Sequence, residues 1–232
     1  MNSFGAGSVI VLAVVIGIYY QQYFRDETRI VRHAWLTLLT NDKYVPGLLA
    51  LTRSLKRANT SYPLVAMITL DSASQESQQS ILNEGCLLRP IEGLFPEYDK
   101  TNLAFELFIH SWTKLRAFQM IDICDKCVFM DADMIVLHNT DELLELEDNP
   151  NFAAAQRCIC NPDNTPSRLP YVYNSLKTFS KTHPYLWDET RIKVIHYILA
   201  KPWNKADPGN ADYDKINRLW QQAYTWRMET RA

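Results

Sequence analysis

The alternation of apolar and polar positions divides most of the chain into a regular succession of elements. His33 to Leu39 is almost wholly apolar and predicts a first strand; Thr40-Asn41-Asp42 then supplies helix-capping residues. From Tyr44 to Ala58 the apolar positions Leu48, Leu51, Leu55 and Ala58 recur at helical spacing. Pro63 to Thr69 predicts a second strand, Ser72 to Glu84 a polar helix, and Leu87 to Ile91 a third strand. This alternation implies a parallel sheet with helices on both faces. Thr113 to Met120 predicts a further helix leading into the apolar run Lys126 to Leu137. Asn139 to Leu144 has the look of a capped helix start, and Phe152 to Ala155 of a short strand. Asn161 to Ser167 is a loop of turn formers that runs into Leu169 to Asn174. Ile192 to Tyr197 predicts a late strand containing His196, and Tyr213 to Arg231 an amphipathic helix bearing Trp and Tyr.

Chemistry enters in the middle of the run Lys126 to Leu137, where Asp131 and Asp133 interrupt an otherwise buried pattern. Isolated ionised carboxylates are costly to bury, so a divalent cation is the expected compensation. In an extended segment residues i and i+2 face the same side, which would aim both carboxylates at one ion. Open α/β sheets bind ligands at the carboxyl ends of their strands, and an apolar strand ending in Asp-Ala-Asp fits that rule. The plainer alternative is an Asp-rich turn between two hydrophobic strands. A hydrophobic strand followed by Asp-x-Asp is also how metal-dependent aspartyl phosphohydrolases open. Those enzymes place a Thr two residues after the second Asp, where this chain has Ile135.

Length and charge narrow the picture. The 232 residues suffice for one α/β domain and an appendage. A formal net charge of -2, with no basic run, argues against nucleic acid as a partner. With only 7 glycines and no Gly-rich phosphate loop, both the dinucleotide fingerprint and the Walker loop are absent, so a bound diphosphate would need a metal to carry its charge. The 5 cysteines, Cys86, Cys124, Cys127, Cys158 and Cys160, form no regular framework. Small buried residues with one disulfide are the preferred reading, and a four-thiol zinc site from Cys124, Cys127, Cys158 and Cys160 is the rival.

Asn2 to Phe24 carries no charge, and Phe4 to Tyr20 as a helix would span roughly 26 Å, close to a hydrocarbon core. Tyr19, Tyr20 and Tyr23 would sit at its interface. Residues 1–25 are therefore expected to be an uncleaved single-pass membrane anchor and 26–32 a short linker to a domain over 33–232. Arg25, Arg29 and Arg32 follow the span and no basic residue precedes it, which by charge alone would leave the domain in the cytosol.

Four runs in order, Ala34 to Tyr44, Trp112 to Phe118, Val128 to Asp133, and Val194 to Tyr197 with Lys201-Pro202-Trp203, resemble the family 8 glycosyltransferases. Glycogenin and galactinol synthase are familiar members, and the membrane-anchored fungal members are the most alike. The resemblance implies a GT-A fold, a Rossmann-like mixed sheet with helices on both faces. It also implies a UDP-sugar donor, Mn²⁺ or Mg²⁺, retaining hexosyl transfer to a carbohydrate, polyol or lipid, and a Golgi or endomembrane location. Carried over by residue, Leu38, Thr40, Asn41 and Tyr44 would hold the uridine, with Tyr44 stacked on the base. Lys114 would reach the donor sugar or phosphates, the Ala132 backbone the ribose, and Lys201 the diphosphate. Asp131, Asp133 and His196 would bind the metal.

The chain departs from the pattern after about residue 168. Pro166-Ser167-Arg168 leads straight to Leu169, without the Asn-x-Gly turn and Asp-Gln pair that line the donor sugar and acceptor in the family. The glycine common between the late His and Lys is replaced by Ile198-Leu199-Ala200. The nucleotide and metal half is thus present and the sugar and acceptor half truncated. A protein of the same fold that keeps only a UDP or metal site stays open as the alternative.

Overall fold

The structure is a computed structural model that describes residues 31–69, 73–95, 106–146, 153–155 and 168–227. The expected membrane anchor, residues 1–25, and the loop Asn161 to Ser167 lie outside the described residues. Among the described residues no helix is long and apolar enough to cross a membrane.

Four parallel strands form the main sheet in the order β3-β2-β1-β4: β1 (Val31–Leu39), β2 (Leu64–Thr69), β3 (Leu87–Ile91) and β4 (Cys124–Phe129). Strand β1 is apolar almost throughout because both its faces are covered. Its odd-numbered residues Trp35 and Leu39 join Leu64, Ala66 and Ile68 of β2 under helix α1 (Val45–Arg57). Its even-numbered residues Ala34, Leu36 and Leu38 join Val65 and Met67 on the opposite face, with Met120 and Cys124. The register Trp35↔Leu64 to Leu39↔Ile68 keeps each set on its own side, and a one-residue slip would exchange them. Asn41 caps a single 3-10 turn, Asp42–Tyr44, through Lys43 N–H at 3.1 Å, and α1 follows with Pro46 in its first turn, where no donor is lost. The polar helix α2 (Gln75–Asn83) is capped by Ser74. Glu106–Asp122, expected as a shorter helix, is wound as a 3-10 helix with a break at Met120.

The run Lys126 to Leu137 is not one strand. Strand β4 ends at Phe129, a turn through Ala132 and Asp133 follows, and β5 (Met134–Val136) enters a second sheet. There it pairs antiparallel with β9 (Val194–His196), which pairs parallel with β8 (Ser175–Leu176). Two-residue strands β6 (Ala154–Ala155) and β7 (Arg168–Leu169) pair with each other. The short helix α3 (Phe179–Thr182) follows β8. Cys124 and Cys127 are joined in a disulfide, which removes the four-thiol zinc reading. Cys86 is free and buried, and burial pushes its thiol up to about 12, so it is inert at neutral pH.

Helix α4 (Asp214–Thr225) ends earlier than its apolar pattern suggested and packs against α1. Its apolar face, Ile216, Trp220 and Ala223, closes on Ile135, Ile195 and Tyr197 of the second sheet and its edge. Arg53 fastens the two helices: it bonds Glu84 and the Tyr224 carbonyl and lies 5.1 Å from the Tyr224 ring centroid. The Arg53 hydrogen bond is the largest influence on Glu84 and holds its pKa below the usual value. The stabilisation is therefore complete above about pH 4.5 and fades as pH falls through the lowered folded value. Arg53→Met is expected to cost about 2 kcal/mol in urea unfolding at pH 7, the scale of a hydrogen bond to a charged group, since Glu84 is left partly exposed. That gap should narrow steadily when the two proteins are compared below pH 4.

Candidate functional site

The main sheet reverses direction at β1: β2 and β3 lie on one side of it and β4 on the other. A crevice opens at such a switch point, at the carboxyl ends of the two diverging strands. The register Leu36↔Phe129 brings the segment after Leu39 and the segment after Phe129 to that same edge.

Both carboxylates sit there, and the turn rather than an extended strand aims them. The Met134 N–H donates to the Asp131 carbonyl at 3.1 Å, and the Tyr197 N–H to the Asp133 carbonyl at 2.9 Å. Pairing of Met134 with His196 then carries the imidazole to the same point. His196 Nε2 is 3.2 Å from Asp133 Oδ1 and 3.7 Å from Asp131 Oδ2. One ligand atom from each of the three residues lies within 4.8 Å of the others. Lys114 pairs with Asp131, and Lys201 with Asp133 and, at 2.8 Å, with the Tyr197 carbonyl.

Asp133 is buried, and desolvation alone would raise its pKa; the hydrogen bond and charge of His196, aided by Lys201, outweigh that and bring it down to about 2. The group is thus an anion over the whole physiological range. Tyr44 lies at the rim, with the Lys201 ammonium 5.7 Å from its ring centroid and Trp203 edge-on at 5.9 Å. Its phenol is raised chiefly by burial and then by Asp133, so it stays neutral. Leu38 differs: its side chain is part of the core beside Val65 and Met67, which leaves only its backbone to face a ligand. Thr40 and Asn41 stand in the turn after β1, where Asn41 is occupied with capping and a 3.4 Å contact to Thr40.

Three residues with no sequence-based role support the site. Asn174 Oδ1 lies 3.0 Å from His196 Nδ1, which fixes the ring so that Nε2 faces the carboxylates. Lys177 is buried behind the segment that carries Lys201. Gly47, inside α1, allows the Ala132 carbonyl and the Trp203 ring to approach so closely that a Cβ would meet them at 2.4 Å and 2.7 Å. A glycine in the first turn of a helix, directly after Pro46, is the one signal in the sequence that marks such an approach. Leu199, on the segment between His196 and Lys201, takes the left-handed φ of 61° that glycine adopts without penalty. Ile135 is fully buried in β5, so the hydroxyl needed by an aspartyl phosphohydrolase has no place here.

A parallel sheet with a carboxylate and imidazole cluster at its switch point, edged by lysines, is an α/β arrangement that could hold a cation beside an anionic ligand. Comparison with known proteins gives the family. The model for glycosyl transferase family 8 matches residues 35–169, more than half of the chain, and the chain belongs to that family. It is 31% identical over 128 residues to galactinol synthase 2 of Solanum lycopersicum and 30% identical over 131 residues to galactinol synthase 3 of Arabidopsis thaliana. These matches cover 55% and 56% of this chain but only 37% and 38% of the relatives, so the chain spans well under half of their length. The fold is that of GT-A glycosyltransferases. It is similar to the apo-form glycosyltransferase GlyE of Streptococcus pneumoniae TIGR4 (TM-score 0.59, 16% identity, 85% of this chain and 61% of that one). It is also similar to galactosyltransferase LgtC, solved with donor and acceptor sugar analogs (TM-score 0.53, 15% identity, 85% and 99%).

Proposed function

We propose that this chain is a metal-dependent glycosyltransferase that moves a hexosyl group from a UDP-sugar to a hydroxyl of a carbohydrate, polyol or lipid. The observation that carries the reading is the convergence of Asp131, Asp133 and His196 at the switch point, with Lys114 and Lys201 beside them. Two carboxylates and an imidazole are oxygen and nitrogen donors suited to Mn²⁺ or Mg²⁺ rather than to thiophilic metals. A bound dication would neutralise charge on the diphosphate. Lys201 and Lys114, already held at the carboxylates, supply fixed positive charge to the same group. Tyr44 would offer a ring face to the uracil and the turn Leu38–Asn41 backbone groups to the uridine, and the family resemblance gives the Ala132 backbone to the ribose.

In the transfer the bond between the sugar C1 and the β-phosphate oxygen breaks, and its electron pair leaves with UDP. The acceptor oxygen bonds to C1 and its proton passes to the departing phosphate. Positive charge at the phosphates favours that step because the negative charge there grows as it proceeds. Retention at C1 is expected from the family resemblance. Residues 1–25 would tether the enzyme to an endomembrane, a reading supported by the uncharged run Asn2 to Phe24.

The test is incubation of the full chain with UDP-glucose or UDP-galactose, Mn²⁺ and a panel of sugar, inositol and lipid acceptors, with UDP and glycoside measured together. Stoichiometric formation of both, stopped by EDTA, supports the reading; absence of any glycoside from a folded, UDP-binding protein contradicts transfer. That second outcome belongs to a UDP- and metal-binding protein without catalysis. Its support is the connection between β6 and β7, which residues 156–167 alone supply.

Asn174 offers a further check on the metal site. Outer partners of ligating histidines typically contribute 10- to 100-fold in metal affinity. Asn174→Ala is expected to weaken Mn²⁺ binding by about that factor, measured from the free-Mn²⁺ paramagnetic resonance signal, while Asn174→Asp restores it.

A further inference from the structure

Lys177 follows β8 and is 1% exposed, among the most completely buried large side chains of the protein. Its ammonium donates to the Ala200 carbonyl and lies 4.8 Å from the Tyr213 ring centroid. Among the described residues no carboxylate reaches it within the 4.0 Å of an ion pair. A buried charge without a counterion is costly, and a carbonyl and a ring face offset only part of that cost. Burial, reinforced by repulsion from Lys201, brings its pKa down to about 8, while Asp207 and Asp133 pull the other way. Ala200 directly precedes Lys201, so the ammonium stands behind the residue that faces the diphosphate.

Charge balance gives this amine a purpose. Lys177 adds one positive charge to the group formed by Asp131, Asp133, Lys114 and Lys201, with Asp207 acting on it from beyond ion-pair distance. A UDP-sugar brings two negative charges on its diphosphate; UDP brings a third once its terminal phosphate ionises, near pH 6. One added positive charge therefore favours UDP more than it favours the donor. We propose that Lys177 is a buried countercharge for the departing nucleoside diphosphate, one that makes the site favour UDP over UDP-sugar; this rests on the transferase reading above. Interactions stronger with the developing charge than with the ground state accelerate the chemical step. The bond that breaks leaves its electron pair on the β-phosphate oxygen, and Lys177 acts on that charge from behind Lys201 without touching it.

The experiment compares wild type, Lys177→Met and Lys177→Gln as full chains, by calorimetric titration of UDP and of UDP-glucose in Mn²⁺ and by thermal unfolding without ligand. Met keeps the length and removes the charge; Gln removes the charge and keeps a donor for Ala200. Both variants are expected to lose affinity for both ligands, and UDP to lose about tenfold more than UDP-glucose, the scale of its one extra charge acting over roughly 10 Å at an effective dielectric near 20. Lys177→Met should melt above wild type, since an apolar isostere relieves a buried charge. Equal losses for both ligands, UDP affinity retained in Lys177→Gln, or a lowered melting temperature for Lys177→Met would make Lys177 a brace for the Ala200 segment and overturn the inference. Wild-type protein that binds no UDP overturns the transferase reading itself, and the inference with it, and is a separate result from any of these.

Discussion

Gly47→Ala is expected to destabilise the protein and to loosen its ligand site together. At an ordinary helix position the change would stabilise by about 1 kcal/mol, because alanine is the better helix former. Here the new methyl would stand 2.4 Å from the Ala132 carbonyl and 2.7 Å from Trp203 Cη2. The ring can yield, but the carbonyl belongs to the turn between Asp131 and Asp133, so relief on that side means moving the ligands. Overpacking of this kind costs about 1–3 kcal/mol, enough to cancel the propensity gain and reverse its sign. Thermal unfolding should show a drop of a few degrees, at about 2–4 °C per kcal/mol for a chain of this size. Mn²⁺ affinity should fall at least about tenfold, since a displacement near 1 Å is large against coordination tolerances. Adding Trp203→Leu should recover part of the stability and little of the metal affinity, because the carbonyl contact remains. A Gly47→Ala protein that is more stable than wild type and binds Mn²⁺ equally well would show that the approach is not close in solution.

Asp133→Asn should abolish measurable Mn²⁺ binding while leaving the chain folded. Asn preserves the shape and one acceptor oxygen toward His196 and Lys201, but it removes the negative charge that their hydrogen bonds and charges hold in place. A hard cation bound by two carboxylates and an imidazole loses half of its anionic ligands. The loss should exceed the roughly 100-fold that marks the upper end for outer partners such as Asn174. Asp131→Asn should weaken binding less if solvent can replace it, since its carboxylate is the more exposed, at 25% against 9% for Asp133. Free-Mn²⁺ resonance titration of both variants gives the order directly.

The strands and helices of the first half were legible because each obeys a local rule. Trp35 and Leu39 alternate with Leu36 and Leu38 as a doubly covered strand must, and Leu48, Leu51 and Leu55 recur as a helix face must. The ligand set was legible for a different reason: it came from ordered motifs that resemble a family, and the site geometry gathers Asp131, Asp133 and His196 as that resemblance implied. The break after Phe129 was legible only as an alternative, the Asp-rich turn between two strands. Met130 to Leu137 is as apolar around its two acids as a single strand would be, and only pairing with β9, some sixty residues on, shows that β5 belongs to another sheet. The resemblance places Leu38 at the uridine without saying through which atoms; its side chain lies in the core, so that role falls to its backbone. Asn174 and Lys177 carry no local signal at all, since their importance depends on contacts across 22 and 23 residues.

The proposed function depends on one property, binding of a uridine diphosphate through a metal at the Asp131–Asp133–His196 site. Calorimetric titration of UDP into the full chain, once in Mn²⁺ and once in EDTA, measures it most directly. Saturable one-to-one binding is expected in Mn²⁺ and should disappear in EDTA and in Asp133→Asn. Binding of equal strength in both buffers, or none in a protein that unfolds cooperatively and is therefore folded, would contradict it.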